Sequence, residues 1–83
     1  MSRQEKLIAK LLNKNAGFSW PELVSLLKGF GYRQIEGEGS RVKFENGNAL
    51  AMINLHRPHP GNEIKAYVKR QVIEHLKAGE FIS

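Results

Sequence analysis

Two prolines one residue apart, Pro58 and Pro60, constrain this chain more than any other feature. Proline lacks a backbone N–H and fixes φ, so neither a strand interior nor a helix interior accepts it, and it holds the preceding residue extended. The stretch Leu55-His56-Arg57-Pro58-His59-Pro60-Gly61-Asn62-Glu63 is therefore read as a rigid, extended connector between an apolar run and a helix. It also carries two of the three histidines and an arginine. Imidazole titrates near neutrality and guanidinium matches phosphate geometry, which makes the connector a candidate place for chemistry on an anion. The alternative is a plain strand-to-helix turn with solvated side chains.

Before the connector, residues 3 to 14 read as a helix, with Leu7, Ile8, Leu11 and Leu12 on one stripe and Lys6, Lys10 and Lys14 on a solvated one. Ala16-Gly17-Phe18 breaks it. Ser19 and Glu22 then have capping-box spacing, Pro21 suits a first turn, and Phe18 suits a hydrophobic staple. Trp20, Leu23, Val24, Leu27 and Phe30 supply the buried face of this second helix, and Gly31 its left-handed end.

The middle of the chain reads as β. Tyr32 to Glu36 is a strand, Gly37-Glu38-Gly39-Ser40 a turn, and Arg41 to Glu45 alternates with Val42 and Phe44 inward. Asn46-Gly47 predicts a two-residue hairpin turn into a return strand over Ala49 to Leu55. In that register Phe44 faces Ala49, Val42 faces Ala51 and Arg41 faces Met52. Ala49, Ala51, Ile53 and Leu55 then face the core, while Leu50, Met52, Asn54 and His56 share the outer face with Arg41 and Lys43.

After the connector a helix is expected from a cap at Asn62 to about Lys77, burying Ile64, Val68, Val72 and Leu76 with Tyr67 and Ile73 beside them. Gly79 ends it, and Phe81 and Ile82 fold back onto the core. The order α-α-β-β-β-α predicts an α+β domain over residues 1–83, a three-stranded antiparallel sheet with helices packed on one face.

The absence of cysteine excludes disulfides, thiolate catalysis and cysteine zinc sites. There is no bilayer-length apolar run and no signal-like N-terminus, so a cytoplasmic address is expected and no membrane partner. The net charge of +5 favours an anionic partner such as nucleic acid. No phosphate-cradling loop is present, His56 and His59 lack a third ligand at diagnostic spacing, and no acid orients a histidine for a serine triad. Neither a metal nor another cofactor is expected. What remains is a basic hairpin (Arg41, Lys43), the connector (His56, Arg57, His59) and a basic helix start (Lys65, Lys69, Arg70). A sheet face beside a helix start holds an RNA backbone through phosphate contacts. Metal-free RNA cleavage needs a base for the ribose 2′-hydroxyl and cations for the phosphorane, which nominates His56 and His59 as catalytic and the six cations as RNA-binding.

Gly29-Phe-Gly-Tyr32, Gly37-Glu-Gly-Ser-Arg-Val-Lys-Phe44, His56-Arg-Pro-His-Pro-Gly-Asn-Glu-Ile-Lys65 and Leu76-Lys-Ala-Gly79 together resemble the HicA (YcfA-like) toxin family. The resemblance covers residues 19 to 82. Residues 1–17 resemble the extra N-terminal helix of a longer subgroup with the Gly-Ser-Arg-Val sequence. The resemblance implies a double-stranded-RNA-binding-domain-like fold, ribosome-independent mRNA cleavage, and neutralisation by a HicB-type antitoxin.

One departure bears on the chemistry. The family pattern has Gly-Ser-His, or a histidine one residue later, on the second strand, and that histidine is taken as catalytic. Arg41 and Val42 stand there instead, and neither is a base at neutral pH. Either His56 takes the base role, although the expected register puts it about 13 Å along the strand from Arg41, or catalysis is lost. In the second case an RNA-binding or antitoxin-binding module remains. A third class, a pure protein-interaction domain using Leu50 and Met52, predicts no RNA affinity.

Overall fold

The structure, a computed structural model, describes residues 2–82, with the side chain of Leu50 outside the description. The expected outward placement of that side chain therefore lies outside the described residues.

Helix α1 (Arg3–Leu12) is capped by Ser2, whose hydroxyl accepts the Glu5 N–H. It stops short of Lys14 because the Asn13 side chain accepts the Asn15 N–H at 2.9 Å, a local turn that competes with the helix. Helix α2 (Trp20–Gly29) opens on the expected capping box, in which Ser19 Oγ accepts the Glu22 N–H and the Glu22 carboxylate accepts the Ser19 N–H. Lys10 Nζ donates to Glu22 at 2.7 Å, joining α1 to α2 and holding the Glu22 carboxyl below its ordinary range. Gly31 at φ 90° turns the chain out of α2, a backbone that side chains resist.

Strands β1 (Arg33–Glu36), β2 (Arg41–Glu45) and β3 (Ile53–His56) form an antiparallel sheet in the order β1-β2-β3. The expected two-residue hairpin does not form. Ala49–Ala51 makes a single 3-10 turn, with Ala51 N–H on Asn48 O at 3.0 Å and Asn48 N–H on the Asn46 side chain at 3.1 Å. Alanine is a weak strand former, asparagine side chains offer the backbone local partners, and the buried Tyr32 hydroxyl fixes Ala51 O at 2.7 Å. Burial also raises the Tyr32 pKa.

The register is therefore Phe44↔Ile53, Val42↔Leu55 and Arg41↔His56, four residues beyond the expected pairing. Four is even, so the faces survive: Val42, Phe44, Ile53 and Leu55 are buried, and Arg41, Lys43, Asn54 and His56 are exposed. Ala51 is buried as expected, but Ala49 is exposed and belongs to the turn.

Helix α3 (Ala66–Ala78) has its N-cap at Lys65, three residues later than the expected Asn62. The chain is held extended there by α2: the Trp20 N–H donates to Asn62 O at 2.6 Å and the Ile64 N–H to Phe18 O at 2.9 Å. Asn62 cannot both close this bridge and start a helix, and Lys65 becomes the N-cap without a side-chain cap bond. Val72 and Leu76 are fully buried, Phe81 packs against the rings of Phe30 and Tyr32, and Tyr67 stands out in solvent.

Lys69 is buried, and its ammonium donates to Asn13 O at 2.9 Å and Ala16 O at 2.8 Å. It closes the carbonyl end of α1 from α3, where a cation is favoured. Lys69→Met strands two carbonyls and is expected to lower unfolding free energy by about 1–3 kcal/mol. Lys65→Met, at an exposed position, is expected to change it by less than about 0.5 kcal/mol, with urea denaturation as the measurement for both.

Candidate nucleic-acid interface

Strand alternation sends Arg41 and Lys43 of β2 and Asn54 and His56 of β3 to the face away from the helices. Arg41 and His56 are direct cross-strand partners. In the next row the Arg57 N–H donates to Ser40 O at 2.7 Å, so Ser40 and Arg57 are the hydrogen-bonded pair. Arg41 and His56 then form the closer, non-hydrogen-bonded kind, whose side chains leave the backbone about 4.5–5.5 Å apart. The separation of about 13 Å expected from the two-residue hairpin does not exist; the longer turn draws His56 back to Arg41.

Ser40 Oγ lies 3.3 Å from His56 Nδ1. When Nδ1 carries the hydrogen and donates it to Ser40, Nε2 is left as an acceptor facing solvent. The turn from β1 that delivers Ser40 is tight: Gly39 has φ 62°, and a Cβ on Gly37 would lie 3.2 Å from the Arg41 Cβ.

Beside this pair runs a groove of about 330 Å³ between the connector and the start of α3. Ser40, His56, His59, Lys65 and Tyr67 line it, with Pro58 and Pro60 forming rigid wall. The connector is not extended throughout: it bends over residues 59–62, with a cis His59–Pro60 bond and Gly61 at φ 83°, before the bridge between Ser19 and Glu63 anchors its far end. A smaller recess on the sheet is lined by Arg41, Asn54, Leu55 and His56, so His56 belongs to both.

The residues predicted from sequence thus divide. His56, His59, Arg41 and Lys65 gather around the groove and its recess, and Lys43 sits on the sheet face between Ile35 and Asn54. Arg57 lines the groove but its charge is directed elsewhere: the guanidinium pairs with Glu36 and lies 5.9 Å from the centroid of the Trp20 ring. Lys69 is buried in the α1 latch. Arg70 lines a different cleft, between α1 and α3, with Leu12, Lys14 and Lys77. Spacing along the chain could not assign these cations to sites, because what each helical face meets is set by the packing of α3 against α1.

Tyr67 was expected near the buried stripe and is instead a groove residue, 61% exposed. The signal was present in its neighbours at i+3 and i+4, Arg70 and Gln71, which mark a polar face. Among the described residues no cluster of three or more His, Cys, Asp or Glu is placed to hold a metal ion, and no helix is long and apolar enough to cross a membrane.

Residues 20–78 match the family model for the HicA toxin of bacterial toxin-antitoxin systems. The matched span runs from the first residue of α2 to the last of α3 and leaves α1 outside. No curated protein and no solved structure matches the chain.

The two contacts of Arg57 predict a structural role. Arg57→Ala is expected to lower unfolding free energy by about 1 kcal/mol, from the lost ring contact and a partly exposed ion pair. Glu36→Gln should reproduce only part of that loss in thermal or urea unfolding.

Proposed function

The chain belongs to the HicA toxin family of bacterial toxin–antitoxin systems, and from that premise we propose that it is an mRNA endoribonuclease working without a metal ion. In this reading it acts in the cytoplasm and is held in check by a HicB-type antitoxin. The observation that carries the reading is His56 directly opposite Arg41. The family's histidine is absent from the second strand, but an imidazole reaches the same point of the sheet face from the strand beside it.

The chemistry follows from the positions. His56 Nε2 takes the proton of a ribose 2′-hydroxyl while Ser40 holds Nδ1. The 2′-oxygen attacks the adjacent phosphorus, and the bond from phosphorus to the 5′-oxygen breaks. His59, in the same groove, protonates the departing oxygen. The products are a 2′,3′-cyclic phosphate and a 5′-hydroxyl, so atoms and protons balance with no further reactant. Arg41 faces the phosphate and stabilises charge on the phosphorane, and Lys43 and Lys65 hold flanking phosphates.

A second reading rests on one observation: Arg41 and Val42 occupy the positions of the family's catalytic histidine. It keeps RNA or antitoxin binding and gives up cleavage. Incubation of purified protein with a long mRNA in EDTA separates the two. The ribonuclease reading expects cleavage that falls about 100-fold or more in His56→Ala and His59→Ala, with unchanged melting temperature. Intact RNA beside retained RNA or antitoxin binding supports the second. Wherever RNA is bound, with or without cleavage, Lys43→Ala and Lys65→Ala should each reduce the slope of log affinity against log salt by about one.

A further inference from the structure

Three large apolar side chains are exposed among the described residues: Leu12, Ile35 and Tyr67. Tyr67 is the most exposed, at 61%, and the only one of them lining the histidine groove. The rings of Trp20, Phe30, Tyr32, Phe44 and Phe81 are all engaged with other rings. Tyr67 has no ring partner and no side-chain hydrogen bond among the described residues. It is nevertheless well positioned, on the first turn of α3 beside Val68, which packs against the core.

We propose that the Tyr67 ring is a stacking platform for one nucleobase, and that the groove therefore takes unpaired RNA in preference to duplex. The inference rests on the ribonuclease reading for its substrate and adds to it which form of RNA the site selects.

The chemistry of the groove favours a base at this position. Lys65, two residues before Tyr67, supplies a cation for the backbone, and His56 and His59 line the same groove. With a phosphate held between the imidazoles and Lys65, an adjacent base meets the Tyr67 ring only if it has left its own stack. In an A-form duplex the bases are stacked on one another and the major groove is too deep and narrow for side chains to read them. A single strand turns a base outward at little cost. Stacking on an aromatic ring is tolerant of base identity, since every base has a π-face, so the platform selects strandedness more than sequence.

The test is binding of a fluorescent single-stranded RNA and of the same strand annealed to its complement. Anisotropy is read with Tyr67→Ala and Tyr67→Phe, each in a His56→Ala background to stop turnover. The single strand is expected to bind more tightly than the duplex. Tyr67→Ala should weaken single-strand binding roughly 5- to 150-fold while leaving duplex binding unchanged, and Tyr67→Phe should retain it. Equal binding by Tyr67→Ala, equal loss in Tyr67→Phe, or a preference for duplex overturns the platform. If wild-type protein leaves RNA intact but this binding pattern holds, the ribonuclease chemistry falls and the platform stands. If cleavage proceeds and binding ignores Tyr67, the reverse is true. Absence of RNA binding in every variant and in the wild type overturns both.

Discussion

Burial of Val42, Phe44, Ile53 and Leu55 against the helices is the constraint from which the rest of the molecule follows. Each is worth about 1.5–3 kcal/mol relative to exposure. A register slip of one residue would expose all the inward side chains of the slipped strand and turn its polar ones toward the core. The hydrophobic layer thus fixes the composition of the opposite face without touching it. Arg41, Lys43, Asn54 and His56 are displayed together because their neighbours in sequence are needed beneath.

The groove depends on a second set of constraints at the connector. Backbone bonds from Trp20 and Ile64 hold its far end to the start of α2, and the Arg57 N–H holds its near end to Ser40. Gly61, at φ 83°, lets the chain turn between these anchors. The two prolines fix φ at positions 58 and 60, so His59 is presented from a bent but restricted segment fastened at both ends. Such a segment keeps its side chains placed at lower entropic cost than a free loop would.

Much of the architecture was legible in the sequence because local and tertiary preferences agree there. The Ser19–Glu22 box, the Gly31 turn and the alternation through Arg41 to Glu45 all formed as their residue types require. The hairpin failed for a tertiary reason: Asn46-Gly47 is a strong local signal, but the Tyr32 hydroxyl reaches nineteen residues along the chain to Ala51 and favours a longer turn. The start of α3 failed similarly, since Asn62 is a good cap whose carbonyl is already engaged by Trp20. At the site, residue type named the histidines, Arg41 and Lys65. It could not tell a cation facing the groove from Lys69, which turns to α1, because that depends on which helix lies alongside.

His56 and Arg57 are adjacent in sequence but serve different halves of the molecule. The imidazole points out over the sheet toward Ser40, and the guanidinium folds under it onto Trp20 and Glu36. A genetic selection for harmless variants of this chain would therefore return both positions side by side, and a map of hits along the sequence would merge them into one motif. On the ribonuclease reading they would part on a temperature shift: a chemical defect at His56 persists at every growth temperature, whereas a folding defect at Arg57 is relieved in the cold. The adjacent pair that looks like a single signature faces two ways, one side chain toward the groove and one onto the packing beneath, interleaved by the two-residue period of a strand.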